Sequence, residues 1–189
     1  MSAGRAEIGR KAVHLATAVL PACMAWAPEP WAVRGPVLAF CIVLILDLAR
    51  FVVPAFGRWT HRWVGTALRP GEHRGLVSVH YLTGAAALLA LVVPRAIGAA
   101  AMAYLVFGDA AAALVGRRFG RHRIGTKSLE GSVAGFLAAS AAGLVFLAER
   151  PLVAIAGAAV ATLVEALPLP VDDNWSVPLA SAAFLAACV

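Results

Sequence analysis

Two carboxylates, Asp109 and Glu130, bracket a stretch holding Gly116, Gly120 and Gly125 among Arg117, Arg118, Arg121, Arg123 and Lys127, and the stretch closes on Lys127-Ser128-Leu129-Glu130-Gly131. Each residue type has a task in handling a polyphosphate. Glycines permit turns and close approach that aim N–H groups at phosphate oxygens. Arg and Lys neutralise the charge, and the N-terminus of a following helix favours an anion. Asp and Glu are hard oxygen ligands of the kind Mg²⁺ accepts beside substrate phosphates. The GxxxxGK[ST] spacing is absent, so this is not a Walker loop. A basic loop serving only to set topology accounts for the arginines but not for two flanking carboxylates.

Other ionisable residues occupy costly positions. His14, Asp47, His80, Asp109, Glu130 and Glu165 lie inside or at the edge of apolar runs, and with a cytoplasmic N-terminus and alternating spans each falls toward the cytoplasmic end of its span. Long basic side chains can snorkel to an interface, but short carboxylates cannot, so a shared depth in six different runs points to one site. Within that set, Asp47 and Arg50 stand one helical turn apart and read as a structural ion pair. His80 reads as a satisfied interfacial histidine.

The elements that must position these groups are apolar. Hydrophobic residues are 61% of 189 and charged residues 14%, with a mean hydropathy of +0.83. A soluble domain is about half apolar and a quarter charged, so this excess calls for a bilayer as solvent. Apolar runs fall at Ala12–Ala27, Trp31–Val53, Leu76–Val93, Ala96–Val115, Ser132–Ala148, Leu152–Leu167 and Trp175–Val189. The hydrocarbon core needs about 20 residues of helix, and the second, third and fourth runs meet this best. The predicted fold is an all-α, polytopic membrane bundle of about seven transmembrane helices, one domain over residues 1–189. With a cytoplasmic N-terminus, only Arg34, Arg95 and Arg150 of the 16 Lys and Arg fall outside, in keeping with the positive-inside rule. The expected location is the plasma (inner) membrane. The first run has a signal-peptide look, but His14 and Pro21 interrupt it and argue against cleavage. Pro54–Gly75 is the longest polar connection, and Trp59 and Trp63 suit an amphipathic turn at the interface. The net charge of +6 sits in short loops, which favours anionic lipid heads or ligands over nucleic acid. Cys23, Cys41 and Cys188 lack pairing spacing and read as small core residues.

At this point the sequence resembles a known family, the CTP-dependent lipid-alcohol kinases: dolichol kinase, phytol kinase and the CTP-using diacylglycerol kinase. Their nucleotide-binding stretch has the form D-x-x-A-x-x-x-G-x-x-x-G, a basic gap, then K-[ST]-x-E-G. This chain has Asp109, Ala112, Gly116, Gly120, then Lys127, Ser128, Glu130 and Gly131. The gap is shorter than in the dolichol kinases, and one lysine stands where they have two. Arg10-Lys11-Ala12-Val13-His14, Asp47-Leu48-Ala49-Arg50, Glu72 with Thr83-Gly84, and Glu165 with Asp173-Asn174 and Pro178-Leu179 are similar to further family segments in the same order. The resemblance therefore covers nearly the whole chain.

The resemblance implies transfer of the γ-phosphoryl of CTP to a membrane lipid alcohol at the cytoplasmic interface, with residues 109–131 as the nucleotide-binding region. Such chemistry needs positioning and charge neutralisation above all. Lys127 with Arg117 and Arg121 would meet the phosphates, supported by backbone N–H groups around Gly116, Gly120, Ser128 and Gly131. Asp109, Glu130 and Asp173 would hold Mg²⁺, and Asn174 would orient the nucleotide or a metal-bound water. Asp109 and His14 both qualify as base for the lipid hydroxyl. The alternative is a phosphatidate cytidylyltransferase-like enzyme making a CDP-lipid from CTP. A transporter or scaffold ranks last, because its charges belong near the midplane rather than at one face.

Overall fold

The structure is a computed structural model that describes residues 14–63, 65, 72, 75–125 and 127–189. It is helical apart from one minimal hairpin. The elements are α1 (Val19–Trp26), α2 (Trp31–Val52), α3 (Pro54–Trp63), α4 (Ser78–Val92), α5 (Arg95–Phe119), β1 (Arg123–Ile124), β2 (Lys127–Ser128), α6 (Leu129–Phe146), α7 (Pro151–Ala166) and α8 (Asp173–Cys188). Helices occupy all seven predicted apolar runs, and α3 supplies the amphipathic turn carrying Trp59 and Trp63. Three of them, α2, α5 and α6, are long and apolar enough to cross a membrane. The Arg10-Lys11 segment lies outside the described residues.

The core is built around α5. Every residue from Ile97 to Val106 is buried, so this stretch is apolar on all sides because helices surround it. Small residues allow that crowding. On α5, Gly108, Ala112 and Gly116 recur every four residues; on α6, Gly131, Gly135, Ala139 and Gly143 do the same. A Cβ at Gly135 would lie 3.1 Å from both the Gly108 carbonyl oxygen and the Ala112 Cβ, and one at Gly131 would lie 2.8 Å from the Ala112 carbonyl oxygen. The two helices thus cross backbone on backbone, the small-xxx-small device of helix pairs in lipid. Tyr104 locks the next layer: its hydroxyl donates to the Ala154 carbonyl at 2.8 Å, and its ring fills the space left by Gly143 and Gly157.

Helix directions follow from the polar contacts. His14, just before α1, meets Asp109 in the second half of α5, while Arg95 at the start of α5 donates to the Met24 and Ala27 carbonyls at the end of α1. These two helices run antiparallel. Arg150 likewise holds the last carbonyls of α8, Cys188 and Val189. Cations at helix C-termini complement the macrodipole there, and this occupies two of the three arginines that the sequence assigns to the outer side. The opposite end collects the start of α1, the ends of α5 and α7, the hairpin, and the start of α8.

The region 109–131 differs from the loop expected. α5 continues unbroken to Phe119, taking in Asp109, Gly116, Arg117 and Arg118, because α6 packs against its glycines and the basic last turn suits a helix C-terminus. The chain then turns through β1 and β2, paired Arg123 with Ser128 and Ile124 with Lys127. Among the described residues Gly125 alone has positive φ, at +61°, where the tight turn requires it.

Candidate functional site

The hairpin fixes Lys127. Its neighbour Ser128 is buried and caps α6, its Oγ accepting from the Gly131 N–H at 3.2 Å. Gly116, Gly120 and Gly131 close around that hydroxyl: a Cβ at each would stand 2.9, 2.7 and 3.0 Å from Ser128 Oγ. These glycines therefore serve close packing. The Gly120 N–H is already spent on the Gly116 carbonyl at 3.1 Å, so Gly116 and Gly120 do not form the open nest of N–H groups that a phosphate would need.

Lys127 reaches the ends of two helices. Its Nζ lies 3.3 Å from Glu165 Oε1 in the last turn of α7 and 3.5 Å from Asp173 Oδ2 in the first turn of α8. It also donates to the Glu165 backbone carbonyl. The charges of Lys127, Asp109 and Asp173 all bear on the Glu165 carboxylate. Asp109 in turn stands 3.5 Å from His14 Nε2. Five sequence-distant residues, His14, Asp109, Lys127, Glu165 and Asp173, thus make one charged cluster with three carboxylates and a single ammonium.

Glu130 stands apart from this cluster. Its Oε1 is 2.7 Å from His122 Nδ1 and also accepts from the His122 N–H at 3.2 Å, fastening the hairpin to α6. Asn174 is buried, with its Nδ2 donating to Asp172 Oδ1 at 2.7 Å, so it braces the α8 N-terminus. Arg117 points back to the Ala113 carbonyl at 3.2 Å, and Arg121 is exposed on the hairpin. The sequence reading of one site from six runs also changes here. Asp47 belongs to a separate network: Arg50 Nε meets Asp47 Oδ1 at 2.5 Å, while Arg50 Nη1 and Nη2 donate to the Glu72 and Gly75 carbonyls. Asp47 Oδ2 accepts from the Val77 N–H and Glu72 Oε1 from the Ser78 N–H, so two carboxylates cap α4. The expected Asp47–Arg50 structural pair is therefore present, and larger than a pair.

The expected Mg²⁺ ligand set, Asp109, Glu130 and Asp173, is not preassembled: among the described residues no three His, Cys, Asp or Glu side chains form a metal-holding group. The reason is geometric, since Glu130 turns outward to His122. The donor chemistry of the inner cluster still fits a magnesium–phosphate unit, because Mg²⁺ is held by one or two carboxylates with substrate phosphates and water completing the shell. Glu165, one of the six residues that the sequence places at a shared depth, is the member of the cluster to which the resemblance gave no role. Its signal was present, a carboxylate near the end of an apolar run. No protein-family model, curated protein or solved structure matches the chain.

Proposed function

We propose that the chain is a seven-span integral membrane enzyme that moves the γ-phosphoryl group of CTP to the hydroxyl of a membrane lipid alcohol. Its N-terminus and charged cluster face the cytoplasm, in the plasma (inner) membrane. The observation that carries this reading is Lys127, held between Glu165 and Asp173, with Asp109 acting on the same Glu165 carboxylate. Three carboxylates against a single ammonium leave a negative excess that a divalent cation such as Mg²⁺ offsets, and the ion in turn holds substrate phosphates. The D…KSxEG resemblance supports the choice of CTP. Leu38, Ile42 and Ile45 on α2 and Leu152 and Leu163 on α7 are exposed, an apolar jacket that suits lipid.

In this mechanism Lys127 uses its three N–H donors to exchange carboxylate contacts for oxygens of the transferring phosphoryl group. Asp109 and Asp173 would hold Mg²⁺, which when bound neutralises charge on the β- and γ-phosphates. The lipid oxygen attacks the γ-phosphorus, the bond from that phosphorus to the β–γ bridging oxygen breaks, and CDP leaves. The hydroxyl proton passes to the His14–Asp109 pair. Products are a lipid monophosphate and CDP.

The test is transfer of label from γ-³²P-CTP to a panel of lipid alcohols by the purified full chain in detergent. Label in a lipid monophosphate, with CDP released, supports the reading. Pyrophosphate release with a CDP-lipid product would establish cytidylyl transfer instead. No transfer from any nucleotide to any lipid, by protein shown to be folded, would exclude both.

A further inference from the structure

A cavity of about 750 Å³ opens between the middle of α2, the first turns of α4 and α8, and the segment before α8. Its walls are Phe40, Tyr81, Gly84, Leu169, Val171 and Trp175, and its polar lining comes from His80 and Asp172. An apolar pocket with a few convergent polar groups is the general form of a small-ligand site.

His80 sharpens that. The expectation of a satisfied histidine fails, because Nδ1 is buried and has no hydrogen-bond partner among the described residues. Its ring instead sits between aromatic neighbours, 5.2 Å from Phe40 and 5.7 Å from Tyr81. The buried Nδ1 is closed off from the cavity, so the polar contact His80 offers there comes from the rest of its imidazole, which lines the wall. Glycine at 84 keeps the space open: a Cβ there would meet the Trp175 ring at 3.1 Å and the Phe40 ring at 3.2 Å.

The cavity also touches the charged cluster through the chain itself. Asp172 lines the cavity, while the next residue, Asp173, stands 3.5 Å from Lys127 Nζ. We infer that this cavity is the acceptor site, and that it takes the hydroxyl-bearing end of a single-chain lipid alcohol, with the His80 imidazole hydrogen-bonded to the hydroxyl. The inference rests on the lipid-alcohol reading above and deepens it. The volume lies within the range of about 300–1,000 Å³ that one drug-sized ligand fills, which suits one chain end rather than the two acyl chains of a diacylglycerol.

Binding without nucleotide tests this separately from turnover. The probe is tritiated geranylgeraniol on the purified full chain in detergent, with unlabelled geranylgeraniol, its hydrocarbon lacking the hydroxyl, and dioleoylglycerol as competitors. Saturable binding is expected, with dioleoylglycerol the weakest competitor. His80→Ala should weaken the alcohol about three- to tenfold and leave the hydrocarbon unchanged, the loss of one hydrogen bond. Leu169→Trp, which adds bulk from a partly exposed wall and spares the helices, should weaken both. Wild-type alcohol binding by both variants overturns the site. Label transfer from CTP to geranylgeraniol at an undiminished rate by Leu169→Trp would also overturn it, while the kinase reading stands. His80-dependent binding with no turnover for any nucleotide supports the site and removes the kinase reading.

Discussion

Two polar networks lie at the same end of the molecule and are built on opposite principles. The Asp47–Arg50 network is closed. Its paired side chains are only 3% and 8% exposed, at 2.5 Å, and the remaining donors and acceptors go to α4 N–H groups and to the Glu72 and Gly75 carbonyls. The Lys127 network is open: Lys127 is 34% and Asp173 63% exposed, its ion-pair distances are 3.3 and 3.5 Å, and carboxylates outnumber the lysine. A closed network has no capacity left for a ligand. The open one can exchange partners, as a phosphate site must. Charge in an apolar chain is therefore weak evidence of function until its hydrogen bonds are counted.

The closed network is most vulnerable at Asp47. Asp47→Ala leaves Arg50 buried without its anion and removes the acceptor for the Val77 N–H. Breaking a buried pair from one side costs about 3–5 kcal/mol. Unfolding by denaturant in detergent should show a loss of that order. Whatever protein remains folded should keep its turnover per molecule, since the network holds no reacting group. A stable Asp47→Ala protein with lost turnover would invert the assignment of the two networks.

Asp109→Asn should do the reverse. The amide keeps the shape on α5 but removes a charge from beside His14 and Glu165. Turnover with CTP should fall at least about a hundredfold, near 2.7 kcal/mol, the scale of one lost electrostatic contact in a transition state. The unfolding midpoint should stay close to that of the wild type. Near-normal turnover would place Asp109 among the structural carboxylates.

The sequence makes the helical framework legible because apolar length is a strong signal: the predicted run Trp31–Val53 and α2 differ by one residue. The gathering of charge at one end is equally legible, because carboxylates cannot snorkel. What fails is the reading of Gly116, Gly120 and Gly131. Glycine every four residues serves helix crossing as readily as phosphate binding, and one chain does not say which, although the matching spacing on α6 is visible. The division of the charges into two networks is hidden for a different reason. It depends on which helix ends meet, and Lys127, Glu165 and Asp173 are brought together only by tertiary packing.

Lys127 sharpens the contrast at the next level of effect. A lysine at the end of α7 that donates to the Glu165 carbonyl has a purely structural explanation as a helix C-terminal cation. In that case Lys127→Ala loses some stability and no specific activity. For the open network the order is reversed: partly exposed ion pairs contribute about 0–1 kcal/mol, while loss of the phosphate contact should cut CTP turnover at least about tenfold, near 1.4 kcal/mol. Lys127→Arg should be partly active, since a planar guanidinium does not replace a compact ammonium. Equal activity in the wild type and both variants would move the nucleotide elsewhere.

The smallest effect is expected at the third polar pair, which belongs to neither network. His122 is 76% exposed and Glu130 26%, and their 2.7 Å contact ties the hairpin to the first turn of α6. Exposed pairs of this kind contribute little to stability. His122→Ala should therefore shift the unfolding midpoint only slightly and leave turnover within about threefold of the wild type, as suits a change away from the reacting groups. Glu130→Gln decides what the glutamate itself does. The amide can still accept from the His122 N–H but is a poorer ligand for a hard cation. If Glu130 only fastens the hairpin, Glu130→Gln behaves like His122→Ala at every magnesium concentration. If the carboxylate leaves His122 to join Asp109 when nucleotide binds, the two variants separate: Glu130→Gln requires far more magnesium for half-maximal turnover, and His122→Ala, which releases the carboxylate, requires no more than the wild type. The magnesium titration distinguishes these because a fastener and a ligand respond to the same substitution along different axes.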